Sequence, residues 1–222
     1  SVGRELVEHA LDTSEEVEPM KQIEEAEASL FRVAEGAAGA SEAESFRGAT
    51  NKALEMIETA INSGGHVSGK TTGFTSINDK CGGLHNSDLI ILAGRPGMGK
   101  TSLATNIAFN IANSYEPVQQ ADGSYKAANG GVVGFFSLEM SSEQLATRII
   151  SEQTEIPSSK IRRGEITETD FEKLVGCAQM LQKLPLYIDQ TGGISIAQLS
   201  ARARRLKRQR GLDVIIIDYV QL

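Results

Sequence analysis

Cysteine is scarce in this 222-residue chain: Cys81 and Cys177 stand far apart, and the three histidines make no metal-ligand spacing with them. That excludes a disulfide framework and a structural zinc site, and it fits a reducing, intracellular setting. Long apolar runs are missing as well. Nothing approaches the roughly 20 residues of a membrane span, and Ser1 opens no signal-peptide pattern. The expectation is a soluble, cytoplasmic protein with no membrane partner.

Positive charge is in deficit, with 22 Lys and Arg against 29 Asp and Glu. A net charge of -7 would ordinarily argue against a nucleic-acid partner. The deficit is local, however. Ten of the acidic residues and only three of the basic ones lie in residues 1–35, leaving 19 of each sign in the rest of the chain. The remainder is electrically neutral, and 40 % apolar residues give it enough material for a real core.

The first part of the chain reads as helices separated by a polar link. In EPMKQIEEAEASLFRVAEG, Ile23, Ala26, Leu30, Phe31 and Ala34 recur at helical spacing between Pro19 and Gly36. GAAGASEAES (36–45) is a flexible link, and FRGATNKALEMIETAIN forms a second helix with Ala53, Leu54, Ile57, Ala60 and Ile61 on its buried side. The stripe over 19–35 has no obvious local partner, so it docks either on a neighbouring subunit or back on its own domain.

From Gly73 onward, strands alternate with helices. The expected strands are DLIILA (88–93), VVGFFSL (132–138), PLYID (185–189) and DVIIID (213–218). Between them lie the helices TSLATNIAFNIANS (101–114), SSEQLATRIISEQ, a charged helical stretch over 158–184, and IAQLSARARRLKRQR. Nearly continuous apolar strands alternating with helices indicate an α/β fold with a mostly parallel sheet covered on both faces. EPVQQADGSYKAANGG (116–131) reads as a solvent-exposed hairpin insertion.

Directly after DLIILA comes GRPGMGKTS. Gly94, Gly99, Lys100 and Thr101 fit the phosphate-loop pattern G-x-x-x-x-G-K-[ST] in full, with Arg95, Pro96, Gly97 and Met98 filling the loop and Ser102 following it. The glycines let backbone N–H groups turn toward phosphate oxygens, and the N-terminus of the next helix adds a favourable field. Lys100 reaches β and γ phosphates, and Thr101 ligates magnesium through its hydroxyl.

A magnesium site also needs a strand-end carboxylate. Asp218, closing Val214–Ile217, supplies one. Glu139, just past a second strand, is placed either to orient water at the γ phosphate or to lie on the surface ahead of a helix capped by Ser141 or Ser142, with Gln144 completing a capping box. Asp189 is a similar strand-end acid that no spacing ranks above a loop residue. Arg202, Arg204, Arg205, Lys207, Arg208 and Arg210 form a dense basic helix, but Leu199, Ala203 and Leu206 give it an ordinary buried stripe. It also lacks the aromatic side chains that stack on bases, so it reads as a solvated or intersubunit face.

Three stretches, TGFTSINDKCGGLHNSDLIILAGRPGMGKT, FFSLEMSSEQLATR and LPLYIDQTGGISIAQLSARARRLKRQRGLDVIIIDYVQL, together resemble the ATPase domain of the bacterial replicative DNA helicases, the DnaB family of RecA-like ATPases. The resemblance covers roughly residues 70 to 222 and implies a RecA-like core over 46–222, preceded by a helical linker segment over 1–45 whose helix near 19–35 docks on the next subunit. It implies ATP and magnesium as ligands, Glu139 as the water-activating glutamate, Asp218 as the magnesium-linked aspartate and Gln221 near the γ phosphate. The partners it implies are single-stranded DNA, a homohexameric ring of the chain itself, a primase and a helicase loader.

Two departures stand out. The family usually carries glycine before the aspartate that opens the first core strand, where this chain has Ser87; a serine asks for a less permissive backbone. The family's DNA-contacting loops, its interface arginine and further core strands follow the Asp218 motif, whereas this sequence stops at Leu222, which predicts an exposed apolar sheet edge. Two other functions fit the phosphate loop: another RecA-like ATPase of recombination or repair, and a non-catalytic ring scaffold that recruits primase or loader through its acidic N-terminal segment.

Overall fold

A computed structural model describes residues 45–62, 67–120, 123 and 125–219, together with Val7, Ala26 and Ser29 as isolated positions. The helix expected over 19–35 lies outside the described residues apart from Ala26 and Ser29, both helical, and Gln221 lies outside them altogether.

Three parallel strands carry the core: β3 (Val133–Ser137) at the centre, β4 (Leu186–Asp189) on one side and β5 (Val214–Asp218) on the other. Every residue of β3 is buried, as a doubly covered central strand requires. Side chains alternate between the faces. Val133 and Phe135 pack with Ala108, Ile111 and Ala112 of helix α3 (Lys100–Asn113) and with Leu145 of helix α4 (Ser142–Thr154). Phe136 faces the other way, onto Leu199 and Ala203 of helix α7 (Ile196–Arg210). Gly134 leaves room on that second face, where a Cβ would come within 3.2 Å of the Leu206 and Leu212 side chains. Burial of each large apolar side chain in these layers contributes about 1.5–3 kcal/mol.

The remaining elements attach to this sandwich. Helix α1 (Phe46–Asn62) precedes it, and helix α2 (Thr75–Cys81) is joined to α3 through a buried network. In that network Asn78 accepts from the Thr72 N–H and hydroxyl, while Asn110 donates to the Thr72 carbonyl. The 116–131 segment is the expected exposed hairpin, with β1 (Glu116–Gln119) antiparallel to β2 (Tyr125–Asn129). The charged stretch after α4 forms two helices, α5 (Ser158–Arg163) and α6 (Glu168–Leu181), divided at Gly164, where φ is 69°.

Two expectations are corrected. DLIILA is not a strand: residues 88–93 form no ladder, and Leu89 and Ile91 are 87 % and 80 % exposed. An apolar strand is stable inside a sheet when neighbours cover both its edges and both its faces. Among the described residues no strand pairs with this segment, and one edge of β5 stays unpaired. The apolar side of α1 is likewise exposed at Leu54, Ile57 and Ile61, together with Phe46. Helical periodicity defines a face but supplies no surface for it to meet.

Candidate functional site

The carboxyl ends of the three parallel strands form one rim, and the ladder register decides what meets there. Phe136 pairs with Asp189, and Ser137 with Asp218. Helix α3 runs back along β3: the carbonyl of Ile111, near its end, accepts from the Gly131 N–H at the start of the strand. At 1.5 Å per residue the helix rises about 16 Å from Ile111 back to Lys100, against roughly 20 Å of extended chain from Gly131 to Ser137. The first turn of α3, with Lys100 and Thr101, therefore points toward the end of the sheet that carries Asp218 and Glu139.

The phosphate loop has the backbone its sequence asks for. Gly97 and Gly99 take φ of 77° and 82°, in the left-handed region that favours glycine, and Gly99 is the residue from which α3 begins. Residues 94–99 are exposed. Lys100 folds back over the loop, its Nζ donating to the carbonyls of Gly94 at 2.8 Å and Arg95 at 3.3 Å. These acceptors hold the ammonium where phosphate oxygens can replace them.

Asp218 is the chemically telling residue. Its side chain is buried at the end of β5, 5 % exposed, and Oδ2 has no hydrogen-bond partner among the described residues. A carboxylate oxygen removed from water and left unpaired is costly unless a cation or donor completes it. That chemistry fits a hard cation such as magnesium, which takes oxygen ligands from one or two protein groups and keeps its waters.

Glu139 projects from a tightly held turn. The Ser137 hydroxyl, on a residue only 1 % exposed, donates to the Met140 carbonyl at 2.7 Å and accepts from the Met140 N–H at 3.1 Å. The Leu138 N–H donates to the Asp218 carbonyl at 2.8 Å, which joins the Glu139 turn to the end of β5. Ser141 and Gln144 form the expected capping box at the start of α4. Glu139 itself is exposed.

The β4 end of the rim has its own anchor. Arg202 donates to both Asp189 carboxylate oxygens, at 3.0 and 2.8 Å, and to the Thr191 hydroxyl at 2.5 Å. Burial pushes the Asp189 carboxyl up, but the bonds from Arg202 and Thr191 outweigh it and hold the group below its ordinary range. Arg202 thus leaves the basic face of α7, where Arg205, Lys207, Arg208 and Arg210 remain exposed. Next to Asp189, Gln190 reaches back across the rim and accepts from the Ser142 N–H at 2.6 Å.

Glu139 and Asp218 lie at the carboxyl ends of neighbouring strands and α3 runs so that Lys100 and Thr101 face the same end of the sheet, while Gln221 lies outside the described residues. Sequence reasoning does not single out Ser137 or Gln190, which secure the Glu139 turn. Ser137 sits inside an apolar strand as a small buried residue, and Gln190 acts on a position 48 residues away, so neither carries a local signal. Ser87 has φ of 73°, the left-handed conformation in which the resembled family carries glycine. Among the described residues no helix is long and apolar enough to cross a membrane.

Comparison with known proteins agrees with this architecture. The chain is 40 % identical over its full length to the replicative DNA helicase DnaB of Rickettsia conorii and covers 44 % of that protein. It is 36 % identical over 94 % of its length to the replicative DNA helicase DnaC of Bacillus subtilis, covering 42 % of it. The chain thus spans less than half the length of these curated relatives.

Two solved structures are similar. One is an isolated ATPase domain, with a TM-score of 0.67 at 27 % identity, over 81 % of this chain and 58 % of that one. The other, a DnaB-like replicative helicase studied with its primase interactions, has a TM-score of 0.63 at 26 % identity, over 98 % of this chain and 46 % of that one. The fold is a RecA-like α/β core, and with residues 69–222 matching the DnaB-like helicase C terminal domain, the chain belongs to that family.

Proposed function

We propose that this chain is the nucleotide-hydrolysing core of an ATP-dependent replicative DNA helicase subunit, acting in the cytoplasm and turning hydrolysis into movement along single-stranded DNA and unwinding of duplex. The observation that supports the reading is Asp218: a buried carboxylate oxygen, unpartnered among the described residues, at the end of the sheet toward which the first turn of α3 points.

In this reading ATP lies along residues 94–102. The N–H groups of the loop and of the first turn of α3 bind its phosphates. Lys100 exchanges the Gly94 and Arg95 carbonyls for β and γ phosphate oxygens. Thr101 and Asp218 hold magnesium, and the chemistry a bound magnesium supplies is neutralisation of charge on the β and γ phosphate oxygens. Glu139, at the tip of its braced turn, orients the attacking water and takes its proton. Gln221 belongs to the γ phosphate region.

Work on DNA requires subunits to act together. The exposed apolar side of α1 supports assembly of the chain into a homohexameric ring, since a free helix with Phe46, Leu54, Ile57 and Ile61 in water gains from burial against a neighbour. A primase and a helicase loader are the further partners, in keeping with the primase interactions of the similar solved helicase.

The test is strand displacement on a forked duplex by the full-length protein, with a Lys100→Ala variant beside it. ATP-dependent unwinding that the variant loses supports the reading. DNA pairing without unwinding would instead assign a recombination ATPase, and an assembled ring with no ATP turnover would assign a scaffold.

A further inference from the structure

The turn that carries Glu139 is held at every neighbouring residue. Ser137 bonds both backbone groups of Met140, Leu138 bonds Asp218, and Ser141 is tied into the capping box with Gln144. Ser142 takes its partner from a different part of the chain: its N–H donates to Gln190 Oε1 at 2.6 Å. Of these side-chain braces, Gln190 alone reaches the turn from outside the β3–α4 connection.

Gln190 is in turn fixed from beneath. Asp189, the last residue of β4, is paired with Phe136 in the ladder and clamped by Arg202 of α7. Its carboxylate also accepts from the Thr191 N–H at 3.0 Å, and Thr191 accepts from Arg202. The residues on both sides of Gln190 are thereby immobilised against the second face of the sheet. A hydrolytic base that must meet a water within a fraction of an ångström benefits from such a brace, because small displacements of a catalytic group cost large factors in rate.

The geometry points to Gln190 as a positioning residue for ATP hydrolysis. Through the Ser142 N–H it sets the start of α4, and with it the orientation of the Glu139 turn, relative to the β4 end of the rim. The inference rests on the proposed role of Glu139. Gln190 acts, in this inference, through the Ser142 backbone N–H.

The test uses the full-length protein assembled on single-stranded DNA. Gln190→Ala lowers kcat about ten-fold while KM for ATP stays within about two-fold, since the phosphate loop is untouched. Gln190→Glu, which keeps an acceptor for the Ser142 N–H, restores most of the lost turnover. In a Glu139→Gln background, with single-turnover assays reading the residual rate, Gln190→Ala adds less than about a three-fold further loss, because both changes act on one group.

A Gln190→Ala protein with normal kcat, or one whose loss is equally large with and without Glu139, would overturn the inference and leave a helix cap only. If Glu139→Gln itself retained full turnover, the assignment of Glu139 would fail instead. The two failures are therefore separable.

Discussion

The two halves of the candidate site are built in opposite ways. On the sheet side, Asp218 is the buried end of the half-exposed edge strand β5 and the Glu139 turn follows the buried strand β3, with hydrogen bonds from Ser137 to Met140, from Leu138 to Asp218 and from Ser142 to Gln190. On the loop side, residues 88–99 are exposed, the apolar run ahead of the loop has no ladder partner, and Lys100 bonds only to carbonyls of its own loop. The two carboxylates proposed for catalysis are thus set by the fold, whereas the phosphate loop, in the proposed function, takes its final partners from the nucleotide.

The largest effect expected from this contrast is on turnover. Asp218→Asn should lower magnesium-dependent ATP hydrolysis at least about 100-fold, by removal of the charge that complements the metal. The same change replaces a buried carboxylate oxygen that has no partner among the described residues, so it should leave the melting temperature unchanged or raise it by the equivalent of about 1 kcal/mol. An activity loss accompanied by marked destabilisation would mean that Asp218 is structural.

Next comes the core beneath the rim. Phe135→Ala, at the centre of the fully buried strand, should cost about 3–5 kcal/mol in denaturant unfolding. Lys100→Ala should cost almost nothing in the same measurement while abolishing detectable nucleotide binding. Equal losses of stability would erase the distinction between the two halves.

Smaller effects probe the outer anchors. The Asp189 carboxyl is held below its ordinary range, so its pairing with Arg202 contributes stability above the unfolded value of about 3.9, and that contribution is lost as pH falls through the lower folded value. For a partly exposed pair the amount is under about 1 kcal/mol. Arg202→Met should flatten the acid end of the stability profile by that amount. Ser87→Gly should stabilise by about 0.5–1 kcal/mol, because Ser87 holds a φ of 73° that glycine adopts without Cβ strain.

Much of the architecture was legible in local chemistry. Helix α7 spans the residues its pattern marks, α4 begins at the Ser141–Gln144 capping box, and the glycine-punctuated stretch after α3 is a hairpin outside the core. The phosphate loop and the strand-end position of Asp218 follow from residue order as well. What the pattern could not supply was the identity of the neighbours. DLIILA has the composition of a buried strand, but composition does not name a ladder partner, and the apolar stripe of α1 names no surface to cover it. The Gln190 bond and the Arg202–Asp189 clamp join residues 48 and 13 positions apart through the packing of the sheet, which no short window of sequence contains.

The most direct measurement compares ATP hydrolysis and magnesium-nucleotide binding in the full-length, ring-assembled protein and its Glu139→Gln variant, with and without single-stranded DNA. If the braced glutamate is the hydrolytic base, DNA stimulates hydrolysis in the parent, and the variant binds nucleotide equally well but hydrolyses it at least about 100-fold more slowly. A variant that binds and hydrolyses like the parent would contradict that assignment.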